Sequence, residues 1–306
     1  METNKDIIII GGGIIGLACA HYLLQQNASV RIIEQDIIES GASSKNCGVM
    51  HFGGVIPLCK PGVILHEIVQ TICRKSALYI KPNFDIALIK WLFKFACNCN
   101  LTHMNAASRA KNNILQYSLD LFDLLFKEHS FRCDFKQKGL LLLFKDKKYF
   151  EKYNHTNIFL KNYGFNIKRY EQNQVRVLEP AAKKEIIGAW YDEHDWHLRP
   201  GMLVKAWKKL LIDKGLIIEE KCKLMDFGIH QNKIKHVNTI KGQFKADHFI
   251  LAAGAWTSKI SRQLKLNIPV QPGKGYSITM EKPDFSPEIP CMLYEKNMVV
   301  TPWENG

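Results

Sequence analysis

The 306-residue chain is 46% hydrophobic and 23% charged, a globular composition that excludes a disordered or low-complexity protein. Lys and Arg outnumber Asp and Glu by 42 to 29, a formal charge of +13, yet the lysines are scattered and form no basic stripe interleaved with aromatics, which sets aside a nucleic-acid-binding role. A chain of this length is expected to form two domains.

Residues 6–10 (DIIII) are the first predicted element, a β-branched apolar run suited to a parallel strand buried on both faces. It leads into Gly11-Gly12-Gly13-Ile14-Ile15-Gly16, a G-x-G-x-x-G pattern, then a predicted helix over 14–26 and a second strand over 29–33 that closes on Glu34. Gly11 permits a tight turn, Gly13 lets the backbone approach a pyrophosphate at the helix N-terminus, and Gly16 lets helix pack on strand. Glu34 is placed to accept hydrogen bonds from adenosine ribose hydroxyls, and its charge disfavours a 2′-phosphate. Strand, glycines, helix, strand and acid in this order predict a dinucleotide-binding unit. The glycines alone do not separate NAD from FAD.

The stretch that follows, ESGASSKNCGVMHFGG, replaces the further helix and strand of a simple NAD domain. Ser43, Ser44, Asn46 and Gly48 are suited to run along a buried flavin, although the stretch by itself reads equally as a surface loop of turn residues. His51, just beyond, is either close to the reacting ring or an ordinary loop histidine. The apolar N-terminal run is broken by three glycines and His21, so it reads as neither a membrane span nor a signal peptide. With nine cysteines and no CxxC pair, the expected location is cytoplasmic, with peripheral contact at the inner face of the cytoplasmic membrane as the alternative.

Residues 84–99 predict a helix carrying Trp91, Phe93 and Phe95 with Lys90 and Lys94 four apart; packing on its own domain is preferred over lying on a membrane surface. Helical periodicity runs over 105–129 through Ile114, Leu115, Leu119, Phe122 and Phe126, and 139–144 reads as a strand. Cys97, Cys99 and His103 lack a fourth metal ligand. YDEHDWHLRPG gathers Asp192, Glu193, His194, Asp195 and His197, and a solvated loop explains them without a metal. Residues 248–251 predict a strand whose end, Ala252-Ala253-Gly254, either allows close passage of a ligand or is an ordinary strand-to-helix connection. A long strand is expected over 268–280 and another over 298–301. Asn305-Gly306 then signals a type I′ hairpin with no partner strand after it.

These motifs, with SSKNCGVMHFGG, PLCKPGV, IKWLFKFACNCN, KGLLLLF, PGKGYSITM and MLYEKNMVVTPWENG in order, resemble the FAD-dependent D-amino-acid oxidoreductases, and within them the bacterial D-amino-acid dehydrogenases. The resemblance spans essentially the whole chain. It implies an α/β Rossmann-like FAD-binding domain from 1–82 and 195–266, and an α+β substrate domain with a large antiparallel sheet from 83–194 and 267–306. It implies FAD as cofactor, held by Gly11, Gly13, Ile14, Ile15, Gly16, Glu34, Gln35, Ser43, Ser44, Asn46, Gly48, Lys223, Ala253 and Gly254, and no metal. Tyr276, Lys274 and His51 are the catalytic candidates. The implied reaction is oxidative deamination of an amino acid to a 2-oxo acid and ammonia, with a respiratory-chain acceptor as partner. The family continues past the hairpin with a carboxylate-binding Arg and a Gly-rich stretch that this sequence lacks, so a chain incomplete at its C-terminus is expected. The alternatives are an amine oxidase acting on glycine, sarcosine or an opine, and an inactive remnant. An NAD dehydrogenase leaves the 43–48 stretch and KGYS without a role.

Overall fold

The computed structural model of the protein describes residues 5–65, 80 and 85–306. In chain order the elements are β1 (Asp6–Ile10), α1 (Ile14–Gln25), β2 (Ser29–Ile33), β3 (Val49–Met50), α2 (Ile86–Cys97), α3 (Leu101–Glu128) and β4 (Leu140–Phe144). Then come α4 (Lys147–Lys161), β5 (Lys168–Glu171), α5 (Gln172–Leu178), β6 (Gly188–Asp192), β7 (Trp196–His197) and α6 (Pro200–Asp213). The last are β8 (Ile217–Glu219), β9 (Leu224–His230), β10 (Lys233–Thr239), β11 (Gly242–Lys245), β12 (His248–Leu251), α7 (Thr257–Ser261), β13 (Cys291–Leu293) and β14 (Met298–Val300).

The described residues fall into two compact units. The first draws on Met1–Asn46, Phe131–Cys133 and Pro200–Ile278, the second on Cys47–Ser130, Asp134–Arg199 and Thr279–Gly306. The described part of 47–82, expected with the first domain, therefore lies in the second, because β3 pairs with β7 there. Residues 195–199 go with it, while 267–278 belong to the first. The expected boundary at 82 and helix start at 84 lie outside the described residues.

In the first unit, β12-β1-β2-β8 form a wholly parallel sheet. Ile7 to Ile10 are all buried, as a strand covered on both faces requires. α1 ends where Asn27 turns left-handed at φ 58°, and the Asn27 and Ala28 N–H groups donate back to the Leu24 and Leu23 carbonyls. β9, β10 and β11 make a separate antiparallel meander. Its first turn is the two-residue Gln231-Asn232, with φ 50° and 59°, a type I′ geometry that no Asn-Gly dipeptide announces.

The second unit is built on a five-stranded sheet, β14-β13-β4-β6-β5. Its pairings are antiparallel except that β13 runs parallel to β4. β4 is buried at every residue, with Leu140, Leu142 and Phe144 in one core and Leu141 and Leu143 in the other. α3 lays Leu115, Leu119, Phe122 and Phe126 on the first core, following the predicted period, although Ile114 points outward at 69% exposure.

Two expectations are corrected. Residues 268–280 form no strand: Pro269 and Pro272 supply no N–H to a ladder, and no strand among the described residues pairs with the segment. α2 half-buries one face, Leu88, Trp91, Leu92 and Phe95, and leaves the other exposed, with none of its residues fully buried. Asn305 lacks the positive φ of a type I′ turn. β14 is instead reached from β13 through residues 294–297, where Asn297 takes the left-handed conformation.

Candidate functional site

The carboxyl ends of β1, β2 and β12 make a cradle in the first unit. Gly11 leaves β1 with φ +110°, and a Cβ there would lie 2.4 Å from the Ala252 carbonyl oxygen. Only glycine tolerates both that φ and that approach. A Cβ on Gly16 would lie 2.0 Å from the Gly11 oxygen, so the third glycine lets α1 seat on the turn. The N-terminus of α1, with its partial positive charge, is thus aimed out of the sheet between the loops after β1 and β12.

Glu34 stands at the end of β2. Its Oε2 accepts the Gly12 N–H at 2.8 Å and its Oε1 the Asp36 N–H at 3.0 Å. Two backbone donors fix the half-buried carboxylate, and each oxygen keeps acceptor capacity for a ribose hydroxyl. Gln35 is exposed beside it. Lys223 is exposed and follows Cys222, whose N–H donates to the Glu34 carbonyl.

Ser43 accepts the Ile14 N–H at 2.9 Å and so caps the start of α1. Asn46 holds the same turn by donating to the Ala42 and Ser43 carbonyls. The Ser44 Oγ is buried and has no hydrogen-bond partner. Its side chain lies next to Gly201 at the start of α6, and this orphaned hydroxyl, one residue from the serine that caps α1, together with the glycine turn that no Cβ could enter, fits a polar, phosphate-bearing ligand such as FAD. Ala253 and Gly254 follow β12, Gly254 with φ +51°. Ile14 is half-buried and Ile15 exposed. Gly48 belongs to the second unit, where its carbonyl accepts the Leu198 N–H.

The Lys274 to Ser277 stretch belongs to the first unit, and Ser277 Oγ donates to the Lys45 carbonyl at 3.3 Å. Tyr276 is 88% exposed, with the Lys274 ammonium 5.2 Å from its ring centre.

His51 belongs to a second cluster, in the second unit. β3 and β7 pair antiparallel as Val49↔His197 and Met50↔Trp196, and the next step of that register sets His51 opposite Asp195. Its Nδ1 lies 2.5 Å from Asp195 Oδ2, and the Phe52 N–H donates to Asp195 Oδ1 at 2.9 Å. Asp192, at the end of β6, accepts the His194 N–H through Oδ1, while its Oδ2 is buried without a partner. Polar atoms of His51, Asp192 and Asp195 lie within 4.8 Å of one another. The expected solvated loop is thus corrected: Asp192, Asp195 and His197 are buried. Burial alone would lower the His51 value, but the hydrogen bond to Asp195 and the charges of Asp195 and Asp192 outweigh it and raise it. Asp195 escaped the site prediction because its contact with His51 joins residues 144 apart, and Asp192 because its place on β6, opposite Leu140, shows only once the sheet is formed; two acids beside a tryptophan were the available signal.

A family described as FAD dependent oxidoreductase matches residues 6–306. D-amino acid dehydrogenase of Helicobacter pylori is 28% identical over 304 residues, which cover 98% of this chain and 72% of the relative. The Vibrio atlanticus D-amino acid dehydrogenase is 26% identical over 282 residues, 90% of this chain and 67% of the relative. Among solved structures, glycine oxidase from Bacillus cereus superposes with a TM-score of 0.66 at 20% identity, covering 99% of this chain and 69% of that one. L-alpha-glycerophosphate oxidase from Mycoplasma pneumoniae, with FAD bound, gives 0.57 at 17% identity, covering 85% and 57%. These superpositions share the α/β architecture described above.

Proposed function

Since this chain belongs to the FAD-dependent oxidoreductase family, we propose that it oxidises the amino-bearing carbon of a D-amino acid, giving an imino acid that hydrolyses to a 2-oxo acid and ammonia. The observation that carries the reading is a β1–α1–β2 cradle with Glu34 fixed at its edge, in a chain whose similarity to D-amino acid dehydrogenases runs over 90–98% of its length. FAD, the cofactor of this family, accepts the Cα hydrogen as hydride when bound.

In this reading Glu34 takes the ribose hydroxyls, and the α1 N-terminus and Ser44 take the pyrophosphate. The Ser43 to Gly48 stretch lines the cofactor, and Lys223 and Gln35 flank the ribose. Tyr276, Lys274 and His51 belong to the substrate side. Electrons leave to a respiratory-chain acceptor. The test is an absorption spectrum of the 306-residue chain after incubation with FAD and desalting, followed by anaerobic D-alanine. Retained flavin bands that bleach on D-alanine are the expected outcome. Bleaching by glycine or sarcosine alone would replace the substrate assignment, and retained nicotinamide without flavin would overturn it.

A further inference from the structure

His51 has an arrangement that neither loop position nor composition requires. A carboxylate offers only acceptors, so the proton in the 2.5 Å contact with Asp195 is carried on Nδ1. Asp195 is itself held by the Phe52 N–H through its other oxygen, and its side chain is fully buried, whereas that of His51 is 43% exposed. The imidazole is therefore held through Nδ1 and is the exposed member of the pair, which leaves Nε2 as the nitrogen not engaged by Asp195. We propose that Asp195 is a positioning residue that holds His51 as the Nδ1–H tautomer, leaving Nε2 as the acceptor for a proton from the substrate's ammonium group.

The proposal rests on the amino-acid reading above and adds the group that makes the amine reactive. An ammonium has no lone pair with which to expel hydride from Cα. In the step assigned to His51, one N–H bond of the substrate breaks, the Nε2–H bond forms, and the electron pair stays on the substrate nitrogen. Asp195 stabilises the resulting imidazolium, the arrangement of carboxylate, imidazole and acid familiar from hydrolytic triads.

Charge around the cluster favours an amine over a second anion. Asp192 and Asp195 face His51, and Lys111 of α3 is the cation opposing them, its ammonium 2.5 Å from the Gly54 carbonyl. His194 holds the far oxygen of Asp192. Two buried carboxylates, one with an oxygen that no donor reaches, attract a positive group to the exposed imidazole. They also keep the imidazole protonated to higher pH, while Lys111 acts the other way.

The test reads His51 directly. In the FAD-treated chain, the His51 ring resonances, assigned by loss in His51→Gln, are followed through a pH titration by NMR in wild type, Asp192→Asn and Lys111→Gln. Wild-type His51 should titrate above the ordinary histidine value, Asp192→Asn should move it down by roughly tenfold in proton affinity, and Lys111→Gln should move it up. The acid limb of anaerobic flavin reduction by D-alanine should follow the same three values. Ordinary His51 titration, unmoved by either variant, overturns the proposal, as does an acid limb that ignores the shifts. If D-alanine reduces no variant while the titrations shift as expected, the amino-acid reading fails and the Asp195–His51 pair stands.

Discussion

In the proposed reading, Glu34 is a side chain that serves structure before it serves a ligand. Its oxygens already accept the Gly12 and Asp36 N–H groups, so the carboxylate arrives at the ribose position without losing rotamer freedom on binding. Glu34→Ala should weaken FAD binding by about 1–3 kcal/mol, from ribose hydroxyls left unpaired and a turn left unbraced. Fluorescence titration with FAD measures it, and unchanged affinity would remove Glu34 from the ribose. His197 is the opposite case. It is fully buried, neither ring nitrogen has a partner, and burial, with Lys136 and Lys138 nearby, pulls its pKa down to about 4. The unfolded chain takes up the proton first, near pH 6.5, so stability falls as pH drops from about 6.5 towards 4. His197→Leu should flatten that loss, retaining about 1–2 kcal/mol at pH 5 relative to pH 7.5 against wild type. Urea unfolding at the two pH values gives the comparison, and parallel losses would mean that His197 is not the titrating group.

At the scale of elements, α2 leaves part of its apolar surface uncovered. Asp85 caps it by accepting the Ala87 and Leu88 N–H groups, yet Ile86, Ile89 and Phe93 are exposed at 69%, 53% and 70%, with Lys90 and Lys94 on the same short helix. No helix among the described residues is long and apolar enough to cross a membrane, but an apolar face rimmed by lysines suits the surface of an anionic bilayer. Sedimentation with phosphatidylglycerol vesicles should carry the chain down, and Phe93→Glu should reduce the bound fraction severalfold; equal binding by both would exclude this helix as the contact. Elements with a strong local period were legible in the sequence: β1, α1 and β2 through an apolar run, glycines and a terminal acid, and α3 through its 3.6-residue stripe. Residues 268–280 were not, since β-branched residues there suggest a strand, and what denies it is two prolines and the lack of a partner strand among the described residues. The Gln231-Asn232 turn hid because neither residue is glycine. The β3–β7 ribbon hid because two-residue strands carry no period.

The whole molecule is two units, each assembled from pieces far apart in the chain. Local motifs revealed the glycine cradle of the first unit, which is made by backbone geometry. The His51 cluster depends on pairing across the chain, which no local pattern records. The parallel sheet has a further consequence, for how the protein comes into being. β1 is flanked by β2 on one side and by β12 on the other, and the contact that closes the second flank, Asp6 with Asp247, joins residues 241 apart. During synthesis, β1 and β2 leave the ribosome early, while one edge of β1 stays unpaired until more than three-quarters of the chain has followed. A sheet of such high contact order forms slowly, and its exposed apolar edge invites pairing with other chains in the meantime. The yield of this protein should therefore depend on how long that edge is shielded after translation begins.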